Sequence, residues 1–206
     1  MSTWFESVRQ PEHGPTQLRI DTGDLAEGNG VLYTPDSMRV FRGGKQVVQS
    51  AGGNALIPLI MGAYVQPVER TVAELAATKV DLSRPTVAGT LDGRAVWIVG
   101  VTSVSDTMSP PFWVDAENRM VLRAIFVPVR GAPTMDMRLG DVRPAGKGLL
   151  AIRCTFHAQG RLVQTEDYLD WQADRALPAS LFDPAEWCTT PHWARTASGT
   201  STPRGG

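Results

Sequence analysis

The stretch WVDAENRMVLRAIF, residues 113–126, decides how the rest of the chain is read. Apolar residues lead into a polar turn, DAEN, and an alternating run, Met120, Leu122, Ala124 and Phe126, leads out. Period-two alternation marks a strand with one dry and one wet face, and a short polar link between two such runs makes a β-hairpin. The pattern puts Met120, Leu122, Ala124 and Phe126 on one side, with Asp115 and Asn118 shaping the turn.

The same grammar runs outward in both directions. Downstream of residue 85 the runs TVAGTLD, RAVWIVGVTS, PPFWVDA, MVLRAIFVPV, TMDMRLGDVRPA, GLLAIRCTFHA and RLVQTEDYLDWQA read as strands. Tight connections such as Asp92-Gly93 and Gly146-Lys147 make them an antiparallel meander. Upstream, WFESV, TQLRIDT, GVLYT, SMRVFRG and the arm around KQVV are shorter strands split by Gly, Pro, Asp and Asn. Between the two sets the period changes. Leu56, Ile57, Ile60 and Met61 recur at helical spacing behind Asn54, a good N-cap, and PVERTVAELAATK opens with a proline suited to a first helical turn. LPASLFDPAEW, residues 177–187, closes with a short helical turn, and residues 188–206 read as a disordered low-complexity tail. The expected fold is mainly β with some helix: a strongly curved antiparallel sheet, an unclosed half-barrel with two or three short helices as a lid on its concave face.

Composition narrows the function classes. The 206 residues suit one domain, here expected over residues 1–187. Twenty Lys and Arg against 21 Asp and Glu, interspersed, give a net charge of -1 and no basic footprint for nucleic acid. The longest apolar run, ALIPLIMGAYV, is interrupted by Pro58 and Gly62 and is too short to span a bilayer. The amino end has no apolar signal-peptide core. Cys154 and Cys188, alone, leave both compartment and pairing open.

Catalytic constellations are not visible. His13, His157 and His192 are scattered, without metal-ligand spacing, and no nucleophile elbow, P-loop or dinucleotide fingerprint occurs. DTGD at residues 21–24 is a single turn, whereas aspartic-protease chemistry needs two carboxylates sharing a proton. GGNA, residues 52–55, reads as a loop feeding an N-cap. Glu166 with Asp167 or Asp170 is the one acidic pair that a pocket could turn catalytic; in sequence it looks like a solvated strand face. The expectation is a protein without enzymatic activity, metal or cofactor.

The order of pieces from Met38 to Trp187 resembles the outer-membrane lipoprotein-sorting (LolA-like) superfamily. SMRVFRGGKQVV resembles an early strand and its hairpin, and LIPLIMGAYVQPVERTVAEL the inserted helices. AGTLDGRAVWIVGVTS, PPFWVDAENRMVLRAIF and MRLGDVRPAGKGLL resemble the successive strand pairs, and LPASLFDPAEW the closing turn. The resemblance implies non-enzymatic binding of a lipid or of lipoprotein acyl chains in a hydrophobic cavity, by a monomeric envelope carrier that hands its cargo to an envelope partner. A sensory or scaffold module with a self-filled interior is the alternative. The implied lining is Leu56, Ile57, Ile60, Met61, Trp97, Met120, Leu122, Phe126, Met135 and Met137. Arg9, in VRQP, matches the family arginine that holds the lid closed. The family's leader and long first helix have no counterpart before the first strands; a leader missing from this chain implies the periplasm or envelope, a true start at Met1 the cytoplasm.

Overall fold

The computed structural model describes residues 3–10, 15–54, 56–76, 78–106, 109–128, 131–189 and 192. The chain is mainly β; among the described residues the strands lie in two antiparallel sheets, neither closed on itself, with two short α-helices. It groups into two units, one of Met1–Ile57 with Ala176–Gly206 and the other of Pro58–Arg175.

In the first unit β1 (Trp4–Arg9), β2 (Gln17–Thr22), β3 (Gly30–Tyr33), β4 (Ser37–Arg42) and β5 (Lys45–Ala51) form a five-stranded meander. These are the strands expected from the alternation. Leu32 and Phe41 point from β3 and β4 into a core completed by Leu181, Phe182 and Trp187, from two 3₁₀ turns at Ala179–Phe182 and Pro184–Glu186. The Asp183 carboxylate caps the second turn, accepting from Ala185 N at 2.9 Å. Trp187 stacks on Phe41, centroids 4.0 Å apart and planes 3° off parallel, and its indole N–H donates to Gly28 O at 3.1 Å. Gly30 makes room for this packing: a Cβ there would lie 2.2 Å from Ile20 O and 2.9 Å from the Trp187 ring. Asn54 caps as expected, its side chain accepting from Leu56 N at 2.9 Å, and α1 (Ile57–Ile60) follows. Of the expected tail, Cys188 and Thr189 are exposed and His192 is buried; the other residues beyond 189 lie outside the described residues.

The second unit carries α2 (Val68–Ala76), which begins after Pro67, and a seven-stranded sheet. Its strands are β6 (Val87–Leu91), β7 (Arg94–Val99), β8 (Phe112–Asp115), β9 (Val121–Phe126), β10 (Met135–Ala145), β11 (Gly148–Ala158) and β12 (Arg161–Asp167), neighbours in chain order. Two of the hairpins turn through consecutive residues with positive φ, Asp92-Gly93 at 49° and 81° and Gln159-Gly160 at 51° and 76°. That is the turn whose twist matches the flanking strands. Val96, Ile98, Val101 and Leu122 form one core cluster, joined by Trp113, Met120 and Val142 among others.

Candidate functional site

The hairpin of residues 113–126 sets the geometry. Asp115 Oδ1 accepts from Glu117 N at 2.9 Å and Asn118 N at 3.1 Å, and Asn118 Oδ1 accepts from Met120 N at 2.9 Å. Both residues shape the turn as expected. Burial works to raise the Asp115 carboxyl, but the Asn118 and Glu117 N–H groups and nearby Arg94 outweigh it and hold it below the usual range.

The alternation beyond the turn is broken. Trp113 pairs with Arg123 but Val114 pairs with Val121, so Leu122 is the extra residue of a β-bulge. A bulge shifts the phase of the side chains. Met120 and Leu122 pack with Val96, Ile98 and Trp113 on one face, while Ala124 and Phe126 belong to the other.

That other face is the candidate site. Residues opposite one another in an antiparallel pair share a face. By this rule Val99, Phe112, Ala124, Met137 and Phe156 form one apolar row across β7 to β11, ending at Gln164 on β12. Phe112, Ala124 and Met137 are buried, Met137 completely. One step along, Phe126 pairs with Met135, and both are half-buried, as is Phe156. Apolar surface is therefore sealed in the middle of the row and partly open at the Phe126–Met135–Phe156 end. Glu166 lies on the same face opposite Cys154; burial raises its carboxyl, opposed by hydrogen bonds from Tyr168 and Gln164. Asp167 turns to the opposite face and pairs with Arg153 at 2.6 Å. The two acids do not share a proton.

The phenol of Tyr64 ties the helical segment to this hairpin. Tyr64, at the end of a 3₁₀ turn (Gly62–Tyr64), accepts from Val121 N at 2.8 Å and donates to Arg119 O at 3.3 Å. Burial is the main cause that raises its pKa above the ordinary tyrosine value. The Gln66 amide then donates to Thr71 Oγ1 at 3.1 Å and Glu74 Oε2 at 2.8 Å, linking the turn to α2.

The implied lining is distributed accordingly. Phe126, Met135 and Met137 come together, with Phe112 and Phe156 as neighbours the sequence reading left out. Trp97 shares its face with Val114 and is 41% exposed. Met120 and Leu122 lie on the opposite face. Leu56 and Ile57 are buried in the first unit, and Ile60 and Met61 are half-buried in the second. Arg9 ends β1, half-buried, donating to Gln17 Oε1 at 3.2 Å.

A different arginine, Arg19 on β2, is buried. Its Nε and Nη2 donate to the Asp21 carboxylate, both at 2.8 Å. It also donates to Leu181 O at 2.9 Å and Trp187 O at 3.0 Å, with its guanidinium 3.8 Å from the Trp187 ring centroid. His192 Nε2 lies 3.2 Å from Asp21 Oδ2. Burial pushes the Asp21 carboxyl up, and the hydrogen bonds from His192 and Arg19 more than compensate, leaving it lowered. No sequence signal marks Arg19, because its cover comes from residues about 160 positions away.

Among the described residues no group of His, Cys, Asp or Glu could hold a metal ion. No helix among them is long and apolar enough to cross a membrane. Neither Cys154 nor Cys188 forms a disulfide.

No protein-family model and no curated protein matches the chain. Solved structures do. A putative outer membrane lipoprotein-sorting protein domain from Vibrio parahaemolyticus superposes with a TM-score of 0.52 at 10% identity, over 88% of this chain and 81% of that one. A DUF1329 family protein from Desulfovibrio piger gives 0.55 at 11% identity, over 87% and 80%. The chain shares the fold of these two structures. A LolA superfamily protein from Nitrosomonas europaea also matches, with a TM-score of 0.49 at 18% identity, over 87% and 81%. At such identities the likeness concerns the fold and no particular ligand.

Proposed function

We propose that the chain binds a lipid, or an acyl chain of a lipoprotein, on the apolar face of its seven-stranded sheet, as a non-enzymatic carrier of the cell envelope. The observation that carries this reading is the row from Val99 to Phe156 with its partly open end at Phe126, Met135 and Phe156. Methionine and phenylalanine side by side make an adaptable apolar surface. Each methylene moved there from water contributes about 0.8 kcal/mol, so some ten carbons supply roughly 8 kcal/mol before the costs of association. Tyr64 is the contact that a moving helical segment would have to break. The lipoprotein-sorting neighbour from Vibrio supports the reading at the level of fold.

The alternative, a sensory or scaffold module that fills its own interior, draws on one observation: Ala124 and Met137 are already 2% and 0% exposed. Displacement of a fluorescent acyl probe separates the two, with Phe126→Asp as the variant. Saturable probe binding that weakens at least about tenfold in the variant supports the carrier. A protein that folds, carries no lipid in native mass spectrometry and does not bind the probe is the scaffold.

A further inference from the structure

The face of the sheet opposite the apolar row carries a cluster that the lipid reading leaves unused. Arg123 on β9 and Arg138 on β10 are directly opposed in the ladder. Like charges in that position destabilise a sheet unless something lies between them. Asp136 does: it receives Arg123 Nε at 2.7 Å and Nη2 at 2.9 Å, and Arg138 Nη2 at 3.0 Å and Nε at 3.3 Å. Two guanidiniums on one carboxylate leave one positive charge uncompensated. Among the described residues Nη1 of each arginine makes no hydrogen bond, so further donors remain. The Arg123 guanidinium carbon lies over the Trp113 ring, 4.3 Å from its centroid, a contact that helps to hold the side chain in place. Across the ladder from Asp136 stands His157, whose Nδ1 is buried without a hydrogen-bond partner. Buried polar atoms are rarely left so.

We propose that Trp113, Arg123, Asp136, Arg138 and His157 form a binding site for a phosphate-type oxyanion. The oxyanion is the acceptor that the two arginine forks lack. As it takes over Arg138, the Asp136 carboxylate is released toward His157 Nδ1, which its position directly opposite in the ladder puts within reach. Three unsatisfied features, the surplus charge, the spare Nη1 donors and the orphan imidazole nitrogen, are then answered together. The site lies on the other face from the apolar row, so it stands independently of acyl binding. A free phosphate and the phosphodiester of a lipid headgroup offer the same oxygens.

The test follows the arginine Nε–H resonances by NMR in the full chain while inorganic phosphate, or dihexanoyl phosphatidylglycerol below its micelle concentration, is added. Saturable shifts of Arg123 and Arg138 with a Kd of order 1 mM or tighter are expected for at least one of the two. Saturation by phosphate alone assigns a free anion, and tighter saturation by the phospholipid assigns a headgroup. Arg138→Gln, at a largely exposed position, should weaken binding about tenfold, as loss of a charged hydrogen bond does, whereas Arg143→Gln on the same strand should leave it unchanged. Shifts that fail to saturate with either compound, or that persist equally in Arg138→Gln, overturn the site.

Discussion

Arg19 and Asp21 are two residues apart on one strand, and both are turned into buried surroundings, because Leu181, Trp187 and His192 cover what period-two alternation would leave wet. A buried pair of this kind is costly to break from one side. Arg19→Ala strands the Asp21 carboxylate and two carbonyls, so a loss of about 3–5 kcal/mol in urea unfolding is expected. The pH dependence has a definite sign. Asp21 titrates lower in the folded protein than in the unfolded chain. Its contribution is therefore fully present above the unfolded carboxyl pKa of about 4 and is lost as pH falls through the folded value. The urea midpoint of the native protein should drop on acidification below about pH 4, and Asp21→Asn should flatten that drop. A variant with an unchanged acid limb would remove Asp21 from the account. In the sequence the arginine singled out was Arg9, because it precedes a proline motif; Arg19 stayed hidden since nothing local announces a cover supplied from the far end of the chain.

At the level of elements, strands, turns and caps were legible and the phase of one strand was not. Asp92-Gly93, Asn54 and the Asp115–Asn118 turn act through local hydrogen bonds and backbone preferences, which the sequence states directly. The bulge at Leu122 is different. It depends on how β8 and β9 register, and it sends Met120 and Leu122 to one face and Ala124 and Phe126 to the other. Alternation read from one strand cannot register a residue that its partner skips. The same hairpin holds the helical segment through Tyr64. Tyr64→Phe removes that acceptor from the Val121 amide at a cost of about 1 kcal/mol. Hydrogen exchange at Val121 should quicken by roughly five- to tenfold in the variant, while the amides of β11 keep their rates. Unchanged exchange at Val121 would mean the tether carries no weight.

For the molecule as a whole, the order of strands, helices and closing turn carried the LolA-like reading, and the three-dimensional likeness at 10–11% identity agrees with it. Individual motifs were too generic to do so alone. The first unit is assembled from both ends of the chain, which links the amino-terminal strands to the carboxyl-terminal turns. Trp187 is its keystone, stacked on Phe41 and above the Arg19 guanidinium. Trp187→Ala should cost about 3–5 kcal/mol, read as a lowered midpoint of thermal or urea unfolding. A shift within about 0.5 kcal/mol would show that the carboxyl-terminal turns are not part of that core.

The claim on which the functional account turns is that the Phe126–Met135 end of the apolar row accepts an acyl chain. Methyl-labelled methionine NMR tests it directly, because Met135 is half-buried at the open end and Met137 is sealed in the middle. On titration with a long-chain fatty acid the account predicts a saturable shift of the Met135 methyl with a Kd in the micromolar range, roughly 8 kcal/mol, abolished by Phe126→Asp. A Met135 methyl that stays in place through saturating fatty acid would contradict it.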